Sequence, residues 1–436
     1  MKLPAFGAFV ALQFLTLSPA HAQLSAAEQK MVRTVDTQAQ QHVDLLERLV
    51  NQNSGTLNLA GVEKVADMVR AELEPLGFSV QWKAMPQTQR AGHLIATHQG
   101  KAGRKKLLLI AHLDTVFEPS SPFQRFIRKG DSAEGPGVGD NKGGIVVILS
   151  ALRAMQAAGT LKDANIEIHM TGDEEDAGNP TNLPRADLID AGKRADVALD
   201  FEGLSRENGQ DMGSIARRSS ESWTLTTSGE SGHSSAIFSA DRGDGAIFEM
   251  ARILHRFRTE LPEPYLTFNI GLILGGEQAA MDSSATHGTA QGKSNIIPPT
   301  AIAQGDLRTL SAEQSARVKA KMQAILTDHA PRTSAVLRFD PVAYPPMAPT
   351  DGNRALLAQL NGVNRDLGLP DMAPLDPMKR GAGDISFVAA DVDGLVGLGA
   401  ASHGDHAPGE TVDLASIPRQ AKRAAILMSR LAAEKR

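Results

Sequence analysis

Four acidic residues stand in a row at Asp173-Glu174-Glu175-Asp176, directly after the strand-like stretch Ile166-Glu167-Ile168-His169-Met170. Like charges packed this closely raise one another's pKa, so the run is costly unless a cation offsets it or water solvates it. Two adjacent glutamates can divide labour, one coordinating metal while its neighbour takes a proton from attacking water. A solvated acidic turn is the plainer alternative. Upstream, His112-Leu113-Asp114 sets an imidazole and a carboxylate two residues apart, on one side of an extended chain, just past the apolar run Leu107 to Ala111. A neighbouring carboxylate can orient a ligating imidazole; otherwise such a histidine is simply hydrogen-bonded. Between the two motifs lies Gly135-Pro136-Gly137-Val138-Gly139-Asp140-Asn141-Lys142-Gly143-Gly144. Its glycines permit close backbone approach, and Asp140 sits at the entry of a helix predicted from Ile145 to about Met155. There it suits either an N-cap or a carboxylate shared by two cations.

The elements that must position these groups can be read from apolar spacing. Ser25 to about Leu73 is largely helical, with Leu45, Leu46, Leu49 and Val62, Val65, Val69 on the buried side and a turn cluster at Asn51 to Gly55. Phe78 to Trp82 alternates as a strand, and the unbroken apolar run Leu107 to Ala111 predicts a central one. In open α/β sheets ligands bind beyond the carboxyl ends of strands, so the three motifs are expected to converge on one crevice. From about Met212 to Tyr344 the texture changes. Strands are predicted at Trp223 to Thr227, Phe268 to Leu274, Ala301 to Leu307 and Ala335 to Phe339, separated by helices at Gly245 to Leu261 and Ser311 to Thr327. That order suits a small α+β unit inserted in a larger domain.

Composition narrows the chemistry. The 436 residues, 42% of them hydrophobic, can bury a large core, and the length suggests two or three folding units. A formal charge of −5 with mixed signs gives no basic footprint for nucleic acid or anionic membrane. There is no cysteine, which excludes disulfides, thiolate nucleophiles and Cys-ligated zinc; any metal must sit on His, Asp and Glu. Lys2, the apolar run Leu3 to Leu17 and Ala20-His21-Ala22 read as a signal peptide over residues 1–22, cleaved to leave Gln23 as the mature start. The run falls short of the roughly 20 residues that span a bilayer. The expectation is an exported protein, periplasmic or secreted, with no membrane attachment after cleavage.

In order and spacing, His112 to Val116, Gly135 to Gly144 and Asp173 to Glu175 resemble the signatures of the co-catalytic di-zinc metallopeptidase family that includes glutamate carboxypeptidases, acetylornithine deacetylase and succinyl-diaminopimelate desuccinylase. The resemblance implies an α/β catalytic domain with a mostly parallel central sheet flanked by helices, residues 23–211 and 345–436, interrupted by an α+β lid or dimerisation domain, residues 212–344. It implies two divalent ions, zinc or in its place manganese or cobalt, held by His112, Asp140 as the bridge, Glu175, Glu202 and His406. Asp200 is the rival of Glu202 on the same strand face, and His403 the rival of His406. Asp114 would orient His112, Glu174 would be the general base, and His233 would stabilise the oxyanion, often from a partner subunit in the family. Asn295, Arg308 and Gly383 match substrate-binding positions; Arg308's planar fork suits a carboxylate, although a salt bridge with Asp306 is its plainer use. Asn141 departs from the family, which commonly has an acid there, and Gly381-Ala382-Gly383-Asp384 carries alanine where a second glycine is usual.

The expected function is cleavage of an amide bond beside a C-terminal amino acid in a small peptide or N-acyl amino acid, by a homodimer formed through the lid. An aminopeptidase or dipeptidase of the same family is the alternative, and an exported solute-binding protein the one from another class. Glu174 favours the enzyme, because a binder has no use for a general base.

Overall fold

The computed structural model describes residues 24–282 and 286–436. The expected signal peptide and cleavage site therefore lie outside the described residues. Three helices open the fold: α1 (Ala26–Thr37), α2 (Ala39–Asn51) and α3 (Leu59–Leu73). Ser25 starts α1 with a reciprocal capping box, its hydroxyl accepting the Glu28 amide at 3.3 Å while its own amide donates to the Glu28 carboxylate at 2.7 Å. The chain continues through β1 (Ser79–Met85), β2 (Arg90–His98), β3 (Lys106–His112), α4 (Lys142–Ala158), β4 (Asn165–Thr171), α5 (Ala186–Arg194) and β5 (Val197–Asp200). A second group follows: β6 (Ser220–Gly229), α6 (Ala246–Glu260), β7 (Thr267–Gly276), β8 (Thr300–Arg308), α7 (Ala312–Ile325) and β9 (Thr333–Tyr344). The chain then closes the first group with α8 (Asp351–Asp366), β10 (Gly394–Leu395) and α9 (Ser416–Ala433).

The first group forms a six-stranded sheet in the order β1-β2-β4-β3-β5-β10. From β4 across to β10 every pairing is parallel, and β1 and β2 join as an antiparallel edge. Leu107, Leu108, Leu109, Ile110 and Ala111 are buried on both faces, as a central parallel strand requires. β2 was not anticipated from the sequence. Its buried residues are Gly92, His93, Leu94 and Ala96, so polar and small side chains break the alternation that marks a strand. Helix α4 is apolar around most of its circumference, with Ile145 to Leu149 all buried, because it packs between α1, α2 and α9 rather than at the surface.

Helix α4 begins at Lys142, three residues before the predicted start, and so takes Gly143 and Gly144 into its first turn. A Cβ on Gly144 would lie 2.0 Å from the Phe201 carbonyl oxygen, so glycine is what lets this turn sit against the chain leaving β5. The second group has its own antiparallel sheet, ordered β7-β8-β6-β9, and its own core, in which Trp223 and Leu225 pack under α6 and α7 with Phe257 and Met322. No helix among the described residues is long and apolar enough to cross a membrane.

One buried histidine gives the fold a pH dependence. His42 on α2 is 1% exposed, and neither ring nitrogen has a partner. Burial, with a smaller contribution from nearby Arg153, pulls it from an ordinary 6.5 down to about 4. Between those two values the unfolded chain binds a proton that the folded chain refuses, so stability falls as pH falls through that window. Urea unfolding should show an acid limb with a slope approaching ~1.4 kcal/mol per pH unit from this group. His42→Leu, measured the same way, should flatten that limb.

Candidate metal centre

β3 and β4 run parallel, and their carboxyl ends deliver His112 and the Asp173 to Asp176 turn side by side. The His112 ring is 2% exposed. Its Nδ1 donates to the Asp114 backbone carbonyl at 3.1 Å, with the Asp114 carboxylate 3.4 Å away. That bond fixes the tautomer and leaves Nε2 as a lone pair aimed at Asp140 Oδ1, 3.0 Å distant. A lone pair facing a carboxylate oxygen needs a positive charge between or upon them. In the bare site that need appears as a His112 imidazole held well above its usual range by Asp114 and Asp140, against the opposing effect of burial.

His406 reaches the same place from the C-terminal part of the chain. Its Nε2 lies 3.1 Å from Asp140 Oδ2 and 3.1 Å from Glu175 Oε2. Asp140 thus offers one oxygen to each imidazole, the disposition a bridging carboxylate requires. Donor atoms of His112, Asp140 and Glu175 fall within 4.8 Å of one another, and so do those of His112, Glu174 and Glu202. Burial, then Glu202, pushes Glu174 well above the carboxylate range, and burial pushes Glu175 up to about 7. Imidazoles, carboxylates and mutual repulsion make a donor set that fits hard or borderline divalent cations.

The rivals are placed differently. Glu202 enters the cluster, whereas Asp200 accepts the Glu202 amide at 3.2 Å through Oδ1 and has Oδ2 3.8 Å from Arg217 Nη1. His403 sits on the short strand Ser402–His403 and lines a cavity of about 500 Å³ with Arg206, Lys379 and Arg380. The N-cap alternative for Asp140 does not hold, because Asn141 occupies the N-cap of α4 and Asp140 is committed to the two histidines. The Asp140-Asn141 peptide is cis.

Asp114 does more than orient His112. Its carboxylate accepts the Thr56 hydroxyl at 2.7 Å and the backbone amides of Glu174 and Glu175 at 3.1 Å each, tying β3's end to the acidic turn. Glu410, four residues after His406, was given no task by the sequence reading. Buried, it takes the amides of Gly137, Gly139 and Asp140 at 2.9, 2.8 and 3.0 Å and so shapes the glycine loop. Arg217 was missed altogether. It bonds the Gly381 carbonyl at 2.7 Å through Nε and sets Nη1 3.0 Å from Glu202 Oε1. Gly383 leaves room for this: a Cβ there would fall 2.2 Å from Arg217 Nη1 and 2.9 Å from Glu202 Oε1. An arginine 15 residues beyond its partner, in the pair Arg217-Arg218, carries no sequence signal for such a contact.

Other expected residues are not brought into the cluster by the single chain. His233 is exposed and bonded through Nδ1 to the Ser235 hydroxyl at 2.8 Å. Asn295 is exposed, its carbonyl accepting the Ser234 amide at 2.9 Å. Arg308 donates to Asp306 at 3.0 Å, the plainer pairing, while its Nη1 would lie 3.7 Å from a Cβ on Gly381.

Similarity to known proteins agrees with this architecture. Carboxypeptidase G2 of Pseudomonas sp. (strain RS-16) is 26% identical over 414 residues, covering 90% of each chain. Among solved structures, aminopeptidase PepT of Bacillus cereus superposes with a TM-score of 0.72 at 18% identity, covering 90% of this chain and 99% of that one. Bacillus subtilis YxeP, described as a dinuclear metal-binding peptidase, gives 0.63 at 16% identity, covering 91% and 99%. The sequence pattern of peptidase family M20/M25/M40 matches residues 108–430, and the chain belongs to that family.

Proposed function

We propose that the protein is a di-metal carboxypeptidase or N-acyl-amino-acid amidohydrolase, releasing a C-terminal amino acid from a small peptide or acyl conjugate. The observation that carries this is Asp140 standing between His112 and His406, with Glu175 on one side and Glu174 and Glu202 on the other. His112, Asp140, Glu175, Glu202 and His406 would hold two divalent ions, zinc in this reading, with manganese or cobalt as substitutes. When bound, such ions polarise the scissile carbonyl and lower the pKa of water. Glu174 takes the proton released by the attacking water and hands it to the leaving amine. Asp114 keeps Glu174 in place through the backbone rather than through the carboxylate itself. Arg308, beside the Gly381 loop, is the group to grip the substrate carboxylate.

The resemblance of the motifs to those of glutamate carboxypeptidases makes N-acyl glutamates, folate-like conjugates included, the first substrates to test. Turnover of N-blocked dipeptides is expected, with zinc, manganese and cobalt compared; a chelator and Glu174→Ala should each abolish it, the latter by about 10²-fold or more. Preference for C-blocked over N-blocked dipeptides would instead indicate an aminopeptidase or dipeptidase. Full turnover by Glu174→Ala would remove the base assignment.

A homodimer through the second sheet completes the reading, with His233 and Asn295 serving the partner's site. Supporting it, Ile273 on the edge strand β7 is 54% exposed, and Phe238 and Phe248 are 64% and 53% exposed. Sedimentation should show a dimer that Ile273→Glu dissociates with loss of activity; an active monomer would refute it. Export is proposed from the N-terminal pattern. Intact mass of the protein recovered from its native host should begin at Gln23, and retention of Met1 would count against cleavage.

A further inference from the structure

One buried guanidinium collects bonds from both sheets. Arg185, at the start of α5, is fully buried. Its Nε donates to Asp384 Oδ1 at 2.7 Å, Nη1 bonds the Asp173 carboxylate, and Nη2 reaches both the Asp173 carbonyl at 3.1 Å and the Tyr344 hydroxyl at 3.0 Å. The Tyr344 hydroxyl in turn donates a hydrogen bond to the backbone carbonyl of Glu174, 2.9 Å away. On the other side, the Glu174 amide donates to Asp114. The backbone of Glu174 is therefore gripped at both its N–H and its C=O, by groups from different parts of the chain.

Tyr344 is the last residue of β9, paired with Ser220 at the start of β6, so it belongs to the second sheet while its ring packs on Phe387 of the short helical turn Asp384–Phe387, with centroids 4.9 Å apart. Asp384 closes the circuit, accepting from the Thr171 hydroxyl at the end of β4 and following Gly383 in the glycine loop. Arg185 pairs with Asp173 and Asp384 through its own fork, with no part played by Tyr344. The Tyr344 to Glu174 bond neutralises nothing; what it does is fix one peptide to the end of the second sheet.

We propose that Arg185 and Tyr344 are positioning residues that couple the placement of the second sheet to the Glu174 carboxylate. This rests on Glu174 being the base. A change in the tilt of β9 pulls on the Tyr344 hydroxyl, and through it on the peptide that aims Glu174. Small misplacements of a reacting group cost rate steeply, while substrate affinity is set elsewhere.

Tyr344→Phe removes only the hydroxyl. In the metal-loaded enzyme it should lower kcat about tenfold to a hundredfold with KM within about twofold. Metal content should be unchanged and the melting temperature lower by no more than about 4 °C. Amides of Glu174 and Glu175 should exchange hydrogen faster in the metal-free protein, a readout independent of turnover. Arg185→Lys, which keeps the charge but not the fork, should act in the same direction. In a Glu174→Ala background Tyr344→Phe should cause no further loss, since both act through one group. An unchanged kcat, or an equal loss in the Glu174→Ala background, overturns the coupling. If both Tyr344→Phe and Arg185→Lys fail to fold, the hub serves stability alone and the proposal is likewise overturned. Failure of the base reading would show separately, as turnover surviving in Glu174→Ala itself.

Discussion

Repulsion among carboxylates held out of water is the constraint around which this protein is built. Asp140, Glu174, Glu175 and Glu202 crowd onto two imidazoles at the carboxyl ends of a parallel sheet. Ionised groups resist such burial, and the upward shifts at Glu174 and Glu175 express that resistance. The scaffold answers by committing the backbone around each acid rather than by pairing every acid with a base. Glu410 collects the amides of the glycine loop, and Asp114 collects those of the acidic turn. The carboxylate ends that remain free of such duties are the ones that face the histidines, where divalent cations would offset their charge.

The two arginines beneath the site divide their work by geometry. Arg217 lies against Glu202 and the Gly381 carbonyl, and the absence of a side chain at Gly383 is what admits it. Arg185 lies between Asp173 and Asp384, away from the donor cluster, and its planar fork reaches side chains and backbone at once. Both tie the glycine loop at residues 381–384 to the walls of the cluster. The second sheet, with its own core around Trp223 and Phe257, touches this framework through Tyr344.

Much of this was legible in the chain. The apolar run Leu107 to Ala111, the glycine loop and the acidic turn announce a central strand, a helix entry and a second strand end, because burial on both faces and tight turns leave local marks. The strands of the second sheet were legible for the same reason: Ser220–Gly229 alternates half-buried and buried residues along most of its length. Arg90–His98 was not, since its buried positions include Gly92 and His93, and what makes it a strand is its place between Ser79–Met85 and Asn165–Thr171.

At the site the division is sharper. Compact motifs and their resemblance to a family's signatures named His112, Asp140, Glu174 and Glu175, where residue type and spacing alone left each a plainer use. They left Glu202 against Asp200 and His406 against His403 open, since residues two or three apart are equally well placed on paper. The tertiary structure places them differently: Glu202 and His406 lie in the cluster, Asp200 accepts the Glu202 amide, and His403 lines a cavity with Arg206, Lys379 and Arg380. Glu410, Arg217, Arg185 and Tyr344 acquire their tasks only in the fold, through bonds to groups from 12 to 273 residues away in the chain. A buried charge is tolerated only where partners from remote segments meet it, and no local pattern records that meeting.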